Sequence, residues 1–250
     1  MVEPLLSVDR VSRRFGGLLA VDAASLAAQA GRITALIGPN GAGKTTLFAI
    51  ISGFLKASDG TIRYAGQAIG GEPPHRLARR GIARTFQIVQ PFAGLSVREN
   101  ILVGAHLRHP ARATAMAAAE NVGRDLGLGD MLDRPADTLT VAGRKRLELA
   151  RALATEPKLL LLDEVMAGLN PSEIRDIVPL IRGLCGRGIT ILMIEHVMQA
   201  VMSLAERVFV LAEGRIIAQG TPAQVASDPA VVEAYLGHGA AAKLGAARAH

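Results

Sequence analysis

A glycine-rich segment near the start of the chain carries the residue types that bind phosphate. Residues 38–45 fit the pattern G-x-x-x-x-G-K-[ST], and an apolar run precedes them. In such a loop the backbone N–H groups turn inward and, together with the N-terminus of the following helix, form a nest for anions. The sequence therefore predicts a triphosphate site. We expect the following residues to contact it: Gly38, Pro39, Asn40, Gly41, Ala42, Gly43, Lys44, Thr45 and Thr46.

The polar residues that end this loop have distinct predicted roles. Lys44 can reach the β- and γ-phosphates, the hydroxyl of Thr45 can bind Mg²⁺, and Thr46 lies next to the phosphate. Glycine loops also join strands to helices in proteins that bind no phosphate. The lysine and threonine on this loop favour the phosphate interpretation.

A pair of carboxylates follows a second apolar run, at residues 159–162. Asp163 can hold Mg²⁺ through water, and Glu164 can act as the general base on a water molecule, a role worth about 10²–10⁴-fold in rate. Alone, such a pair is usually a solvated turn, so this assignment depends on the lysine loop. We expect the strands before Gly38 and Asp163 to be neighbours, which would bring Lys44 to both carboxylates.

Short apolar runs alternate with longer helical patterns, which predicts an α/β fold with a mostly parallel core sheet. The continuous runs at residues 33–37, 159–162 and 189–194 are typical of parallel strands buried on both faces. Residues 6–8 and 18–26 predict an N-terminal antiparallel β piece. A helix is expected at about residues 43–52, and another at about residues 222–236.

Residues 88–150 predict a helical lobe inserted into this core, because they contain no convincing strand pattern. Residues 111–120 and 126–132 are predicted helical within it. The whole is interpreted as a single domain over residues 1–237, with a core lobe at 1–87 and 151–237. The tail at 238–250 is rich in Ala and Gly and is predicted to be disordered.

Composition excludes several classes of protein. The chain has 250 residues, of which 50% are hydrophobic, and 28 basic against 22 acidic residues give a formal charge of +6. Its apolar runs stop short of the roughly 17–25 residues of a membrane span. Aromatic residues make up 3%, too few for stacking on single-stranded nucleic acid, so no nucleic-acid partner is expected. A single cysteine and the lack of a basic leader indicate the cytoplasm.

Further motifs along residues 5–237 resemble those of ABC transporter ATPases, in the order that this family uses. The resemblance implies that Gln87 senses the metal and the γ-phosphate and that His196 is the switch histidine at the γ-phosphate. It also implies that Phe15 stacks on adenine and that residues 167–170 cross to a partner subunit. Taken singly, Phe15 could be a core residue, Gln87 a surface residue and His196 a strand cap.

The family's dimer signature, Leu-Ser-Gly-Gly-Gln, is where the chain departs most from the pattern. Residues 139–143 read Leu-Thr-Val-Ala-Gly, so Thr140 keeps the hydroxyl while Val141 and Ala142 replace both glycines. A β-carbon there crowds a backbone that should approach the opposite subunit's phosphate. A one-residue shift instead places Ala142 and Gly143 on the glycine pair. All four residues, Thr140 to Gly143, are expected to contact the nucleotide of the partner.

Within the family, residues 15–21, 81–87, 168–171 and 220–237 look like the ATPase subunits of branched-chain amino-acid importers. The resemblance implies ATP and Mg²⁺ as ligands, and a second ATPase subunit, identical or related, as partner. It implies permease subunits that dock near residues 87–92, an indirect link to a substrate-binding protein, and a peripheral location on the inner face of the cell membrane. Importers of urea or short amides, a soluble ABC ATPase acting on nucleic acid or the ribosome, and a regulatory module without turnover remain as alternatives.

Overall fold

Two β-sheets and nine helices account for most of residues 3–87 and 90–236, which are the residues that this computed structural model describes. The strands are β1 (Leu6–Phe15), β2 (Leu18–Ala28), β3 (Ile33–Ile37), β4 (Asp59–Tyr64), β5 (Gln67–Ala68), β6 (Ile82–Arg84), β7 (Leu159–Asp163), β8 (Thr190–Ile194), β9 (Arg207–Ala212) and β10 (Arg215–Gly220). The helices are α1 (Lys44–Ile51), α2 (Pro74–Arg80), α3 (Val97–Ala105), α4 (Arg112–Asp125), α5 (Val141–Leu153), α6 (Pro171–Gly186), α7 (Met198–Leu204), α8 (Pro222–Ala226) and α9 (Pro229–Leu236).

The larger sheet has six strands in the order β10-β9-β3-β8-β7-β6, and each pair is parallel except β9 with β10. A mostly parallel core sheet is therefore confirmed. The expectation that β3 and β7 are neighbours is wrong, because β8 lies between them. The carboxyl ends of these parallel strands still meet at one edge of the sheet, so the loops that follow β3 and β7 lie at the same edge.

Apolar side chains cover both faces of the larger sheet, as its continuous apolar runs predict. Leu36 and Leu161 face a core shared with α1 and with the second sheet, which is antiparallel in the order β2-β1-β4-β5. Ala35 and Leu160 face the other core, which they share with α3, α5 and α6. The predicted N-terminal antiparallel piece is confirmed.

Helices α3, α4 and α5 occupy the middle of the chain and pack on one another, and the described residues between α3 and α5 contain no strand. The helix predicted at residues 126–132 is wrong: Gly127 adopts a φ of 70° just after α4, and only a short 3-10 turn at Gly129–Met131 follows. The single helix predicted at residues 222–236 is two helices, since the carboxylate of Asp228 and Pro229 start α9 anew.

The expected permease contact near residues 87–92 includes residues 88–89, which lie outside the described residues. The tail at residues 238–250, which is predicted to be disordered, also lies outside them. Within the described part of the chain, none of the helices has the length and apolar character required to cross a membrane.

Candidate functional site

The loop between β3 and α1 is held by close backbone neighbours that leave room only for glycine. A β-carbon on Gly38 would lie 1.9 Å from the carbonyl oxygen of Leu211, on β9. A β-carbon on Gly43, whose φ is 102°, would lie 2.4 Å from the carbonyl oxygen of Ala20, on β2. The loop is therefore clamped between both sheets, and it leads directly into the first turn of α1.

Lys44 begins α1 and folds back over the loop. Its Nζ donates hydrogen bonds to the carbonyl oxygens of Gly38 and Pro39, both at 2.8 Å, and the residue is 5% exposed. Burial lowers the pKa of Lys44, while the carboxylates of Glu164 and Asp163 oppose this shift. Lys44 and Glu164 line one cavity, even though β8 separates β3 from β7.

A cavity of about 640 Å³ opens above this loop. It is lined by Phe15, Leu18, Leu19, Ala20, Asn40, Gly41, Ala42, Gly43, Lys44, Thr45, Thr46, Gln87, Glu164, Glu213 and Gly214. Phe15 is 42% exposed, and the guanidinium of Arg13 lies 4.6 Å from the centre of its ring. One face of the ring is therefore covered by a cation, and a flat aromatic ligand has the other face for stacking.

Glu164 is held at the end of β7 by two polar side chains from distant parts of the sequence. Gln87 Nε2 donates to Glu164 Oε2 at 2.6 Å, and His196 Nε2 is hydrogen-bonded to Glu164 Oε1 at 2.5 Å. The backbone of Glu164 has a φ of 50°, which is uncommon for a residue other than glycine. A strained backbone and two fixed oxygens are typical of a carboxylate held for chemistry.

Asp163 lies one residue earlier and is buried, with 2% exposure. Its Oδ2 accepts a hydrogen bond from Arg84 Nη2 at 2.7 Å. Its Oδ1 is buried and has no hydrogen-bond partner among the described residues. A buried carboxylate oxygen without a donor is costly unless a ligand, water or ion completes it.

The site therefore combines an anion cradle, a buried lysine and two carboxylates at one edge of a parallel sheet. The profile of the ABC transporter family matches residues 21–167 of this sequence. The chain belongs to the ABC transporter family. A second profile, for branched-chain amino acid ATP-binding cassette transporters, matches residues 215–241.

Relatives of this ABC ATPase match it almost from end to end. BraF of Pseudomonas aeruginosa, a high-affinity branched-chain amino acid transport ATP-binding protein, is 41% identical over 95% of this chain and 99% of that protein. LivG of Escherichia coli, described in the same words, is 42% identical over the same shares. The resemblance on which the sequence interpretation relies is confirmed.

Solved structures of ATP-binding cassettes share the fold of this chain. A nucleotide-free cassette from an ABC transporter has a TM-score of 0.86 and 34% identity, and covers 93% of this chain and 99% of that one. An ADP conformation of such a cassette has the same TM-score and identity, and covers 95% of this chain and 100% of that one. This chain is an ABC ATPase.

The signature residues of this ATPase lie away from the cavity. Thr140 caps the start of α5, where its hydroxyl accepts a hydrogen bond from the N–H of Gly143 at 3.1 Å. Val141 is 57% exposed. None of Thr140, Val141, Ala142 and Gly143 lines the cavity of the same chain. Their expected contact with the nucleotide of a partner subunit stays a prediction.

Sequence reasoning missed two charged residues, Lys145 and Arg84, that donate hydrogen bonds to groups of this site. Lys145, on α5, donates from Nζ to the carbonyl oxygens of Gln87 at 3.1 Å and Glu164 at 3.0 Å, and it is 7% exposed. Arg84 holds Asp163 from β6. The signal available for Lys145 was its position within the apolar stripe of an amphipathic helix, α5, where a lysine is unusual. Arg84 has no comparable signal, because β6 has only three residues, which are too few to show a periodic pattern.

Sequence reasoning also missed a buried glutamate beside His196. Glu195 is 2% exposed, and its Oε1 accepts a hydrogen bond from the N–H of Met166 at 3.0 Å. Burial raises the pKa of Glu195, and hydrogen bonds from the backbone of Met166 and His196 oppose the shift. This carboxylate therefore joins the end of β8 to the turn that follows β7.

Proposed function

We propose that this ABC ATPase is the ATP-hydrolysing motor subunit of an importer for branched-chain amino acids. The observation that carries most weight for the cargo is the match to BraF and LivG across 95% of the chain. We propose a location in the cytoplasm, peripheral on the inner face of the cell membrane. Importers of urea or short amides are the closest alternative for the cargo, and an uptake assay with both substrate classes distinguishes them.

Residues that line the cavity, together with the adjacent Asp163, fit Mg²⁺ with the nucleotide. Asp163 Oδ1 is buried without a partner among the described residues, and the hydroxyl of Thr45 belongs to a residue that lines the cavity. Gln87 uses Nε2 for Glu164, which leaves Oε1 as an oxygen ligand. The described residues contain no cluster of three or more His, Cys, Asp or Glu side chains that could hold a metal ion. When bound, Mg²⁺ neutralises charge on the phosphates.

The proposed catalytic residues are Glu164 and His196. Glu164 accepts a proton from the attacking water, and its position is set by the hydrogen bonds from His196 and Gln87. Lys44 moves its hydrogen bonds from the loop carbonyls to the phosphates. The backbone N–H groups of the loop bind the β-phosphate, and the uncovered face of Phe15 stacks on adenine.

The geometry of the nucleotide site supports a working unit of two subunits. The cavity is open on one side, and the signature residues of the same chain do not reach it. We propose that residues 139–143 and 167–170 of each subunit complete the site of the other, in a pair with an identical or related ATPase. Loss of the γ-phosphate removes the contacts that close the pair.

Replacement of Glu164 by Gln tests the hydrolysis step. The amide keeps the size of the side chain but cannot accept the proton, so turnover should fall by about 10²–10⁴-fold while ATP binding is retained. Such a variant should accumulate as a closed, ATP-bound dimer in size-exclusion chromatography. Glu206→Gln is the matched control, since Glu206 pairs with Arg32 at the opposite end of the larger sheet. Normal turnover of Glu164→Gln would remove Glu164 from the role of base.

We propose that the permease docks in a groove beside the nucleotide site. This groove, of about 290 Å³, lies between the core and α3 and α5, and it is lined in part by Phe54, Arg84, Phe86, Glu148 and Arg151. Glu148 Oε2 is buried there without a partner among the described residues, and burial raises the pKa of Glu148. An amphipathic helix with a hydrogen-bond donor on its apolar face matches this lining.

Phe92 lies at the end of the segment that sequence reasoning assigned to this contact, although Ile88 and Val89 are outside the described residues. Its ring is 41% exposed and packs under the guanidinium of Arg151 at 4.2 Å. Phe92→Asp should abolish transport and spare basal ATPase activity, because the residue is exposed and does not line the nucleotide cavity. Met202→Asp, an exposed apolar residue on α7, is the matched control. Wild-type transport by Phe92→Asp would count against this contact, since the ring could then serve only to pack the helical lobe.

The two non-transport alternatives have their own readouts. A soluble ABC ATPase that acts on nucleic acid would bind it with a steep salt dependence. A regulatory module without turnover would hydrolyse no ATP in the purified state. Co-purification with an integral membrane protein supports the importer.

A further inference from the structure

A buried ion pair joins the two halves of the phosphate site. Arg84 and Asp163 end the neighbouring parallel strands β6 and β7, and Arg84 Nη2 lies 2.7 Å from Asp163 Oδ2. The side chains are 8% and 2% exposed. Arg84 Nη1 also donates to Ser52 Oγ at 3.1 Å, and Ser52 ends α1, whose first residue is Lys44. One guanidinium therefore bridges the helix of the phosphate loop and the carboxylate after β7.

Three aromatic rings surround the same guanidinium. The ring of Phe48, in the core, and that of Phe54 both lie 5.9 Å from Arg84 Cζ, and the ring of Phe86 lies 5.2 Å away. Phe54 and Phe86 pack edge to face at 5.6 Å and are 53% and 44% exposed. Both rings line the groove, so one side of the guanidinium faces the groove and the other faces Asp163.

We propose that Arg84 is a positioning residue, which orients the carboxylate of Asp163 for the metal of the bound nucleotide and connects that carboxylate to the groove. This inference rests on the proposed function, in which Asp163 holds Mg²⁺. Because Arg84 occupies Oδ2, it leaves Oδ1 as the free oxygen and restricts the rotation of the carboxylate. An occupant of the groove contacts Phe54 and Phe86 and thereby acts on the guanidinium between them.

A role through charge alone and a role through orientation predict opposite effects of removing Arg84 on the strength of Mg²⁺ binding. A cation beside Asp163 repels Mg²⁺, so its removal should strengthen metal binding if Arg84 were only a counter-ion. Orientation predicts that its removal weakens metal binding. Lysine separates the two effects, because it keeps the charge but lacks the planar fork that reaches Ser52 and Asp163 together.

The experiment measures how much Mg²⁺ strengthens nucleotide binding. The metal gain is the Kd of a fluorescent non-hydrolysable ATP analogue in EDTA divided by its Kd in Mg²⁺. In Arg84→Lys and Arg84→Gln the metal gain should fall about tenfold, while the Kd in EDTA stays at the wild-type value. Arg80→Gln, an exposed residue of α2 paired with Glu72, should match the wild type. A wild-type gain in Arg84→Lys, or a higher gain in Arg84→Gln, would overturn the proposal.

Two milder variants keep the proposal testable if the Arg84 variants fail to fold. Ser52→Ala removes one anchor of the guanidinium and should lower the metal gain about threefold. Phe54→Ala removes an exposed ring from the groove and should lower it about twofold. A wild-type gain in Ser52→Ala would refute the orienting role, and a wild-type gain in Phe54→Ala would refute the connection to the groove.

The same measurement separates this inference from the proposed function. A wild-type chain whose nucleotide binding does not respond to Mg²⁺ would contradict the proposed function itself. A wild-type chain that responds, together with Arg84 variants that respond equally, would contradict only the role of Arg84.

Discussion

Lys145 offers the sharpest test of how Glu164, the proposed general base, is held, because its single ammonium connects the backbones of Gln87 and Glu164. We expect Lys145→Met to lower both stability and turnover. Methionine fills a similar volume on α5 but provides no donor. The carbonyl oxygens of Gln87 and Glu164 would then lose the hydrogen bonds of 3.1 and 3.0 Å that position them.

The expected magnitude follows from two opposing effects. Loss of the donor destabilises the native state by about 1–3 kcal/mol at the buried carbonyl of Glu164, and by less at the partly buried carbonyl of Gln87. Removal of a buried ammonium recovers part of this, because its transfer from water is unfavourable. A net loss of about 1–3 kcal/mol corresponds to a decrease in Tm of about 2–4 °C per kcal/mol for a chain of this size.

We expect Lys145→Met to lower kcat by more than the loss of stability alone would produce. A displacement of Glu164 by a fraction of an ångström moves the base relative to the attacking water, so we expect kcat to fall about 10- to 100-fold. The affinity for ATP should change little, because Lys145 does not line the nucleotide cavity.

Thermal unfolding, nucleotide binding and steady-state ATPase kinetics measure these three quantities. Lys158→Met is the matched control, since Lys158 is exposed just before β7. A Lys145→Met variant whose kcat lies within twofold of the wild-type value would refute the view that this lysine positions Glu164. A fall in ATP affinity as large as that in kcat would show instead that the phosphate loop itself had been disturbed.

Two further predictions concern stability. The native pKa of Glu195 is raised above its ordinary value of 4.5 by burial, so the native state binds more protons than the unfolded state and wild-type stability falls as pH rises above that value. Because the glutamine in Glu195→Gln cannot titrate, the Tm of this variant minus that of the wild type should increase from pH 4.5 to pH 8. A Tm difference that does not change with pH would contradict this. Gly43→Ala places a β-carbon 2.4 Å from the carbonyl oxygen of Ala20, whereas Gly41→Ala meets nothing within 4 Å. Both have positive φ and lose about 1–3 kcal/mol to strain, so Gly43→Ala should melt several degrees lower in calorimetry, and equal melting temperatures would exclude the clash.

The loop between β3 and α1 could be predicted from the sequence because its pattern is local. Residues 38–45 form one continuous stretch, so the motif can be recognised without knowledge of any distant contact. The same holds for Asp163 and Glu164, whose preceding apolar run identifies the strand and hence the edge of the sheet at which they lie. Local sequence patterns of this kind can be recognised whichever fold buries the apolar strand beside them.

The order of the strands could not be predicted in this way. The apolar runs of β3, β7 and β8 are equally suited to the centre of a parallel sheet, and no local pattern states which is the neighbour of which. The expectation that β3 adjoins β7 was wrong for this reason. Lys44 and Glu164 nevertheless line the same cavity, because the loops that follow parallel strands meet at one edge of the sheet whichever strands are adjacent.

By itself, the sequence determined which residue types are present for phosphate binding and hydrolysis, because a loop, a strand end and their polar residues are contiguous. Only the tertiary structure decided which distant side chains meet them. Gln87 and His196 meet on Glu164, Arg84 pairs with Asp163, and Lys145 reaches across from α5, over separations of 19–79 residues. The physical reason is that such contacts depend on how helices and strands pack in three dimensions, and packing is a property of the whole core.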